Sequence, residues 1–331
     1  MRRLKIFTWH VHGNYLWYLS QVPHDLYLPV APGREGGFGG RGKTFPFADN
    51  IHDVPLDEVA SQEFDCILFQ LRRNFEVDQH EILSKAQRRL PRIYLEHDPP
   101  QQNPTDQRHW VNDPNILLVH VTPFNALMWD SGRSPTRVID HGVLVPNGVK
   151  HTGRKDSGVV VINHLQSRGR RLGVDVFTTA REQVPLDLVG MAAEELGGIG
   201  EIPPTELAGF IADYRFFFNP IRYTSLGLAV IEAMMIGMPI LGMATTEMVT
   251  AIQNGVSGYV ETELSKLIEH MRRLLADPGE ARRLGRNARL FALERFNIDR
   301  FVRDWKQAFA DVTGMSSAPA DNALAVEEIA S

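Results

Sequence analysis

Short runs of branched and aromatic residues alternate with segments of helical periodicity along most of the chain. Such alternation is typical of parallel sheets whose strands are joined by crossover helices. In the first series the predicted strands cover residues 4–9, 25–30, 64–70, 92–97, 116–121 and 136–140. The predicted helices of that series cover residues 13–21, 76–89 and 123–131. This pattern restricts the chain to the α/β class.

A second alternating series follows a polar stretch at residues 146–158, where we place a linker. Its predicted strands cover residues 159–163, 186–189, 216–219, 239–242 and 258–260. Its predicted helices cover residues 172–183, 204–212, 226–237, 247–254, 262–276, 278–294 and 298–312. We therefore predict a first domain at 1–150, a second at 151–313 whose last helix packs back on the first, and a disordered tail at 314–331. Because ligands of doubly wound sheets bind at the carboxyl ends of the strands, we expect the site in the cleft between the domains.

The composition favours a globular protein that does not bind nucleic acid. The formal net charge of -5 lacks the basic excess of a nucleic-acid binder. Cys66 is the single cysteine and lies in an apolar run, which favours a buried thiol in a reducing cytoplasm. No apolar stretch approaches the roughly 20 residues of a membrane helix, and the amino terminus does not read as a signal peptide. Any membrane contact is expected to be peripheral, and the sequence does not indicate an oligomeric state.

Glu232 is the one charged residue between Ser225 and Met243. A carboxylate in an apolar helix faces a desolvation penalty of several kcal/mol unless it has a partner. A ligand hydroxyl would serve, and the amino end of this helix should attract an anion such as a diphosphate, because its amides are unpaired. The alternative is a core helix with one glutamate at a solvent-exposed edge.

This segment resembles the retaining family-4 glycosyltransferases, whose signature is a Glu, seven residues, then a second Glu followed by Ala-Met and Gly-x-Pro. Residues 232–234 (Glu-Ala-Met) and 237–239 (Gly-Met-Pro) match the second half of that signature. The resemblance implies the GT-B fold, with two doubly wound Rossmann-like domains facing a central cleft. It gives Glu232 the role of holding the nucleotide ribose. The first Glu of the signature, which touches the transferred sugar in the family, falls on Thr224 here.

The same resemblance implies further donor contacts. Gly227 and Leu228 occupy the backbone-amide positions near the donor sugar and diphosphate. The strand and basic loop at residues 161–171 look like the diphosphate-binding segment, where a guanidinium can grip phosphate through two donors. A solvated basic turn is the alternative for this loop. The candidate donor-binding residues are Gly13, Asn14, His164, Arg168, Arg170, Arg171, Thr224, Ser225, Gly227, Leu228 and Glu232.

The candidate catalytic residues, His97 and Asp98, end a predicted strand of the first series. They resemble the strand-end His-Asp of the family, so that His97 would contact the donor sugar and Asp98 would orient its ring. A neutral imidazole can also share a proton near pH 7, and a hydrogen-bonded loop histidine is the alternative. His141 replaces the Asn of the family's Asn-Gly-Val turn, which supports the domain boundary. No third ligand accompanies the His10 and His12 pair, so no metal is expected.

Residues 37–42 match the letters of the dinucleotide-binding fingerprint. That fingerprint joins a strand directly to a helix, and the residues that follow, 43–47, do not read as one. We expect the glycines at 33–42 to form a mobile loop over the cleft. With Arg34, Arg41, Lys43, Phe38 and Phe45, this loop would hold an acceptor. A merely flexible surface loop is the alternative.

Together with these observations, the resemblance implies a metal-independent glycosyltransferase without a cofactor. It would move a sugar from a UDP or GDP donor to an unidentified acceptor hydroxyl with retention of configuration. A sugar-nucleotide epimerase or hydrolase of the same fold, or an inactive nucleotide-sugar-binding protein, is the alternative. Thr224 keeps both open.

Overall fold

In the computed structural model, which describes residues 2–144 and 148–315, the chain forms two parallel sheets. The first contains β1 (Lys5–Thr8), β2 (Asp25–Val30), β3 (Ile51–Pro55), β4 (Cys66–Phe69), β5 (Arg92–Glu96), β6 (Ile116–His120) and β7 (Thr136–Val138). The second contains β8 (Lys155–Val161), β9 (Leu186–Val189), β10 (Tyr214–Asn219), β11 (Ile240–Met243) and β12 (Gly258–Glu261). Neighbouring strands run parallel in both sheets, and the predicted α/β class is confirmed.

Helices connect the strands. In the first half they are α1 (Gly13–Leu19), α2 (Gln79–Ile82) and α3 (Pro123–Met128). In the second half they are α4 (Leu165–Arg168), α5 (Val174–Arg181), α6 (Pro204–Ile211), α7 (Leu228–Ile236), α8 (Met248–Ala251), α9 (Leu264–Ala276), α10 (Pro278–Arg295) and α11 (Ile298–Val312). A π-helical turn lies at Asn74–Asp78, and 3-10 turns lie at Val59–Ser61, Gln87–Arg89, Gly169–Leu172 and Ala193–Leu196. No helix within the described ranges has the length and apolar composition needed to cross a bilayer.

The order of the strands shows where each sheet has the crevice in which ligands of doubly wound sheets bind. The first sheet has the order β3-β2-β1-β4-β5-β6-β7, and the second has β12-β11-β10-β8-β9. The direction of winding therefore reverses between β1 and β4, and between β8 and β10, and these are the switch points that open a crevice. The strands β4, β6 and β10 are buried along their whole length, as expected of parallel strands covered on both faces.

The helix α11 packs on the first half of the chain. Its Trp305 Nε1 donates to Tyr15 Oη at 3.2 Å, and its Asp311 pairs with Arg137 of β7 at 2.7 Å. Residues 146 and 147 of the predicted linker and residues 316–331 of the predicted tail lie outside the described residues.

Two elements of the first half differ from the sequence prediction. The strand β3 was not predicted because Pro55 and Asp53 are poor strand residues, and it is tolerated at the edge of the sheet. The helix predicted at 76–89 is broken after Ile82. Ser84 and Gln87 there form a reciprocal turn in which each backbone N–H donates to the other side chain. Such local side-chain bonds compete with helix formation.

Candidate active site

A cavity of about 620 Å³ lies between the carboxyl edges of the two sheets. Its wall comes from the segments after β1, β2, β5, β7, β8, β9 and β10. The predicted residues that line it are Gly13, Asn14, His97, Asp98, Arg168, Thr224, Ser225, Gly227, Leu228 and Glu232. His164, Arg170 and Arg171 were also predicted and do not line it. Ten residues separated by up to 219 positions are thus brought to one site by the crossovers between the strands.

Glu232 lies one turn inside α7 and is only 9% exposed. Its Oε1 accepts a hydrogen bond from Tyr18 Oη at 2.7 Å and another from Asn14 Nδ2 at 3.1 Å, both on α1 of the first half. Burial raises the pKa of Glu232, and the two hydrogen bonds oppose that shift. The carboxylate is therefore buried in the cavity wall rather than at a solvent-exposed edge, and it joins the two halves of the chain.

The amino end of α7 faces the same cavity. Gly227 occupies the N-cap position and makes no side-chain cap, and Gly227 and Leu228 line the cavity. Ser225, 8% exposed, also lies in the wall, and its Oγ has no hydrogen-bond partner among the described residues. A free helix amino end attracts anions, and a buried hydroxyl without a partner needs one from a ligand or water.

The three arginines of the loop after β8 have different surroundings. Arg168 lines the cavity, and its side chain makes no hydrogen bond or ion pair in the part of the chain that the structure describes. Arg170 pairs with Asp175 at 2.5 Å, and Arg171 donates to Gln101 of the first half. Burial and the charge of Arg171 lower the pKa of Arg168 from its ordinary value. Of the three arginines in this loop, Arg168 is thus the one that lines the cavity.

His164 does not share the position of Arg168. It precedes α4 in a left-handed conformation, with φ of 54°. Its backbone N–H donates to the carbonyl oxygen of Met191 at 2.8 Å. His164 therefore belongs to the turn that begins α4. It does not line the cavity, where its contact with the donor was predicted.

Hydrogen bonds fix the tautomer of His97. The Gln70 amide group donates to Thr8 Oγ1 and to the Trp9 carbonyl oxygen, both at 2.9 Å, which leaves Gln70 Oε1 as an acceptor. His97 Nε2 lies 3.1 Å from that oxygen and therefore carries the proton. Burial lowers the pKa of His97 well below its ordinary value. The ring is neutral, and its Nδ1 is available as a hydrogen-bond acceptor.

Asp98 is held by its backbone at the end of β5. Its N–H donates to Glu96 Oε1 at 3.0 Å, and its carbonyl oxygen accepts from Trp129 Nε1 at 2.8 Å. Its carboxylate Oδ1 accepts from Thr224 Oγ1 of the second half at 3.4 Å. Asp98 and Thr224 therefore meet across the cleft.

Comparison with known proteins gives the architecture its name. Residues 192–291 match the family model described as Glycosyl transferases group 1. Sucrose-phosphate synthase from Thermosynechococcus elongatus superposes with a TM-score of 0.70 at 16% identity, covering 95% of this chain and 100% of that one. The chain has the GT-B fold. No curated protein sequence matches it.

Two further solved structures share the GT-B fold with this chain. Anabaena Alr3699/HepE in complex with UDP-glucose superposes with a TM-score of 0.69 at 16% identity and covers 93% of this chain and 100% of that one. AviGT4, a glycosyltransferase involved in avilamycin A biosynthesis, superposes with a TM-score of 0.61 at 13% identity. That match covers 95% of this chain and 99% of the AviGT4 chain.

His141 is a candidate that the sequence interpretation assigned only to the domain boundary. In the GT-B structure it is 4% exposed and lines the cavity. Burial lowers the pKa of His141 to about 3, so that the ring is neutral. Its replacement of a turn asparagine was the one sequence signal that could have identified it.

The glycine-rich loop at 33–42 is anchored to the first sheet of the GT-B fold. Asp53 of β3 accepts from the Arg41 backbone N–H at 2.5 Å and pairs with Arg34 at 3.1 Å. Residues 31–50, all described, contain no helix, so the fingerprint letters do not join a strand to a helix. Thr44 and Phe45, which follow the loop, reach the cavity wall. Phe45 lies against Gly13, where an added Cβ would stand 2.3 Å from the ring.

Metal-binding side chains do not converge in the described ranges. Residues 2–144 and 148–315 contain no group of three or more His, Cys, Asp or Glu side chains arranged to hold a metal ion. Cys66 is buried, as predicted, and burial raises the pKa of its thiol.

Proposed function

We propose that this GT-B protein is a glycosyltransferase that moves a sugar from a nucleoside diphosphate sugar to an acceptor hydroxyl with retention of configuration. The observation that carries the proposal is the pairing of two features in one cavity wall. One is the presence of the Arg168 guanidinium and of the amino end of α7, which has no side-chain cap. The other is the buried carboxylate of Glu232, one turn further along that helix.

The proposed donor lies along this wall with its diphosphate at the amino end of α7 and its ribose at Glu232. A diphosphate at the amino end of α7 brings the adjoining ribose within reach of Glu232, because consecutive turns of a helix are about 5.4 Å apart. The family match and the complexes of the similar protein HepE with UDP and UDP-glucose support a nucleotide sugar as the donor, with UDP ahead of GDP. The acceptor is not specified by these features.

The proposed reaction needs neither a bound metal nor another cofactor. The guanidinium of Arg168 and the helix amides would stabilise the negative charge that develops on the leaving diphosphate. By resemblance to retaining enzymes, departure and attack occur on one face of the sugar, and the leaving phosphate takes the acceptor proton. No protein nucleophile is required. We also propose a cytoplasmic location, in keeping with the single buried thiol.

The test is a binding and turnover panel on the whole chain. Isothermal titration with UDP, GDP and ADP identifies the nucleotide, and the sugars of that nucleotide are then incubated with and without acceptor mixtures. We expect Glu232→Gln to weaken binding of the preferred nucleotide about tenfold or more, because a bond to a charged acceptor is lost. Glu269→Gln, an exposed position on α9, is the matched control. Wild-type protein that binds no nucleoside diphosphate would refute the proposal.

The same panel separates the alternatives. Release of free sugar or of an epimerised donor without any acceptor would favour a hydrolase or epimerase. Binding without turnover of any donor would favour an inactive nucleotide-sugar-binding protein. Sugar transfer that needs an added acceptor supports the glycosyltransferase.

A further inference from the structure

A second cavity, of about 390 Å³, lies between the two halves of the chain, and we call it the side pocket. From the first half, Trp17 and Tyr18 of α1 and Phe45 line it. From the second half, Ala208 of α6 and Glu232 of α7 line it. Because a cavity of about 150 Å³ is enough to bind benzene, the side pocket has room for a group of one or two rings.

The wall of the side pocket is mostly apolar and carries one charge. Among the residues that the structure describes, Glu232 is the one charged side chain that lines it, and no histidine does. The Oε1 atom of Glu232 already accepts hydrogen bonds from Tyr18 and Asn14. By contrast, Arg168 and the amino end of α7 line the donor cavity, the cavity of about 620 Å³ where we propose that the donor binds. A phosphate therefore suits the donor cavity, and an uncharged apolar group suits the side pocket.

Three aromatic side chains contribute to the wall of the side pocket. The rings of Trp17 and Tyr18 have centroids 5.2 Å apart, and those of Trp17 and Phe45 have centroids 6.0 Å apart. Trp17 and Phe45 are only partly buried, so part of each ring stays accessible. Aromatic rings bind other flat apolar rings through stacked and edge-to-face contacts, which stabilise a complex beyond the area that they bury. This wall therefore favours a ligand that contains an apolar ring.

The side pocket and the donor cavity share part of their walls. Asn14, Phe45, Pro204 and Glu232 line both. A molecule whose apolar end occupies the side pocket therefore lies directly beside the proposed donor. Of the loop side chains predicted to hold an acceptor, Phe45 is the one that lines the side pocket.

We propose that the side pocket binds the acceptor, and that this acceptor is an uncharged hydroxyl compound with an apolar group of one or two rings. The rings occupy the side pocket, and the hydroxyl group faces the donor. In the transfer, the anomeric carbon of the sugar exchanges its bond to the diphosphate oxygen for a bond to the acceptor oxygen, and the hydroxyl proton goes to the departing diphosphate. The inference rests on the proposed function, which leaves the acceptor open.

The experiment titrates the full chain with benzyl alcohol, cinnamyl alcohol and naphthalenemethanol, and with glycerol as a probe that has no apolar group. Each titration is run with and without saturating UDP, or the nucleoside diphosphate that the chain prefers. Ala208→Phe places a ring in the side pocket. Glu206→Phe is the matched control, because it adds the same ring at an exposed position of α6 that does not line the side pocket. Trp17→Leu is a second variant, which removes a ring from the wall instead of filling the space.

We expect the wild-type protein with bound nucleotide to bind at least one of the aromatic alcohols with a Kd below about 1 mM, and glycerol at least about tenfold more weakly. Ala208→Phe should weaken that alcohol about tenfold or more, Trp17→Leu about threefold or more, and Glu206→Phe less than about twofold. With the preferred nucleotide sugar, mass spectrometry should detect transfer of the sugar to the alcohol. The value of kcat/KM for this transfer should fall about tenfold or more in Ala208→Phe.

The outcomes that contradict the proposal are separate from those that contradict the proposed function. Wild-type protein that binds none of the aromatic alcohols, or binds glycerol equally well, would overturn the proposal, and so would equal effects of Ala208→Phe and Glu206→Phe. Competition between alcohol and nucleotide would assign the side pocket to the nucleobase and overturn its role as the acceptor site. An alcohol that binds beside the nucleotide but receives no sugar, although another acceptor does, would also overturn that role. Wild-type protein that binds no nucleoside diphosphate would instead refute the proposed function.

Discussion

The three arginines after β8 allow a prediction with controls built into one loop. Arg168→Gln, Arg170→Gln and Arg171→Gln remove the same charge from positions within three residues of one another. Only the first of the three lines the cavity, and its guanidinium makes no hydrogen bond or ion pair to another described residue. If Arg168 grips the diphosphate, its loss removes a charge-assisted hydrogen bond.

The expected magnitude follows from that contact. A hydrogen bond to a charged group contributes about 1.5–3 kcal/mol, which is roughly a tenfold to hundredfold increase in the Kd for UDP. Arg170 and Arg171 already pair with Asp175 and Gln101, and neither lines the cavity. Their substitution should therefore change the Kd for UDP less than about threefold.

The assay is isothermal titration of each variant with UDP and with uridine, which lacks phosphate. Arg168→Gln should leave uridine affinity unchanged, and the thermal midpoint of unfolding should hold, because Arg168 is exposed and unpaired within the described residues and loses no stabilising contact. Equal effects of Arg168→Gln and Arg171→Gln on UDP binding would refute the assignment. An equal loss of uridine affinity would do the same.

Two further predictions concern buried polar groups of the wall. Tyr18→Phe removes a 2.7 Å hydrogen bond to the buried Glu232 carboxylate. The free energy of unfolding, measured by urea titration at pH 7, should therefore fall by about 1.5–3 kcal/mol. An unchanged value would contradict the observed geometry. His141 has a folded pKa lowered to about 3, so the unfolded chain binds its proton first, and stability falls as pH drops from about 6.5 toward 3. The loss of unfolding free energy between pH 6.5 and pH 5 should be smaller in His141→Gln by up to about 2 kcal/mol, and identical pH profiles would contradict the burial of a neutral ring.

The sequence predicts most of the fold because the buried strands carry continuous apolar runs. The strands β4, β6 and β10 were found from such runs. The edge strand β3 was missed because an exposed edge accepts Asp53 and Pro55, which carry no strand signal. The helix breaks after Ile82 because Ser84 and Gln87 form a turn through their side chains. Hydrophobic periodicity does not predict that turn.

The part of the candidate site that lies within one sequence segment could be predicted. Glu232 stood out because it is the single charge in an apolar segment. Its partners Asn14 and Tyr18 lie 218 and 214 residues away in the chain, so nothing local pairs them with it. The place of His141 in the wall likewise depends on the meeting of both halves, and only three-dimensional packing reveals it.

The free polar groups of the wall support a ligand site independently of any family resemblance. A buried donor or acceptor left without a partner costs about 1–3 kcal/mol, and a ligand that bonds to it removes that cost. Ser225 Oγ is in that condition, and the unpaired Arg168 lies in the same wall. Glu232, by contrast, already has two donors from α1. A ribose that binds Glu232 must therefore share the carboxylate with Asn14 and Tyr18 or displace them, which couples binding at this residue to the contact between the two halves.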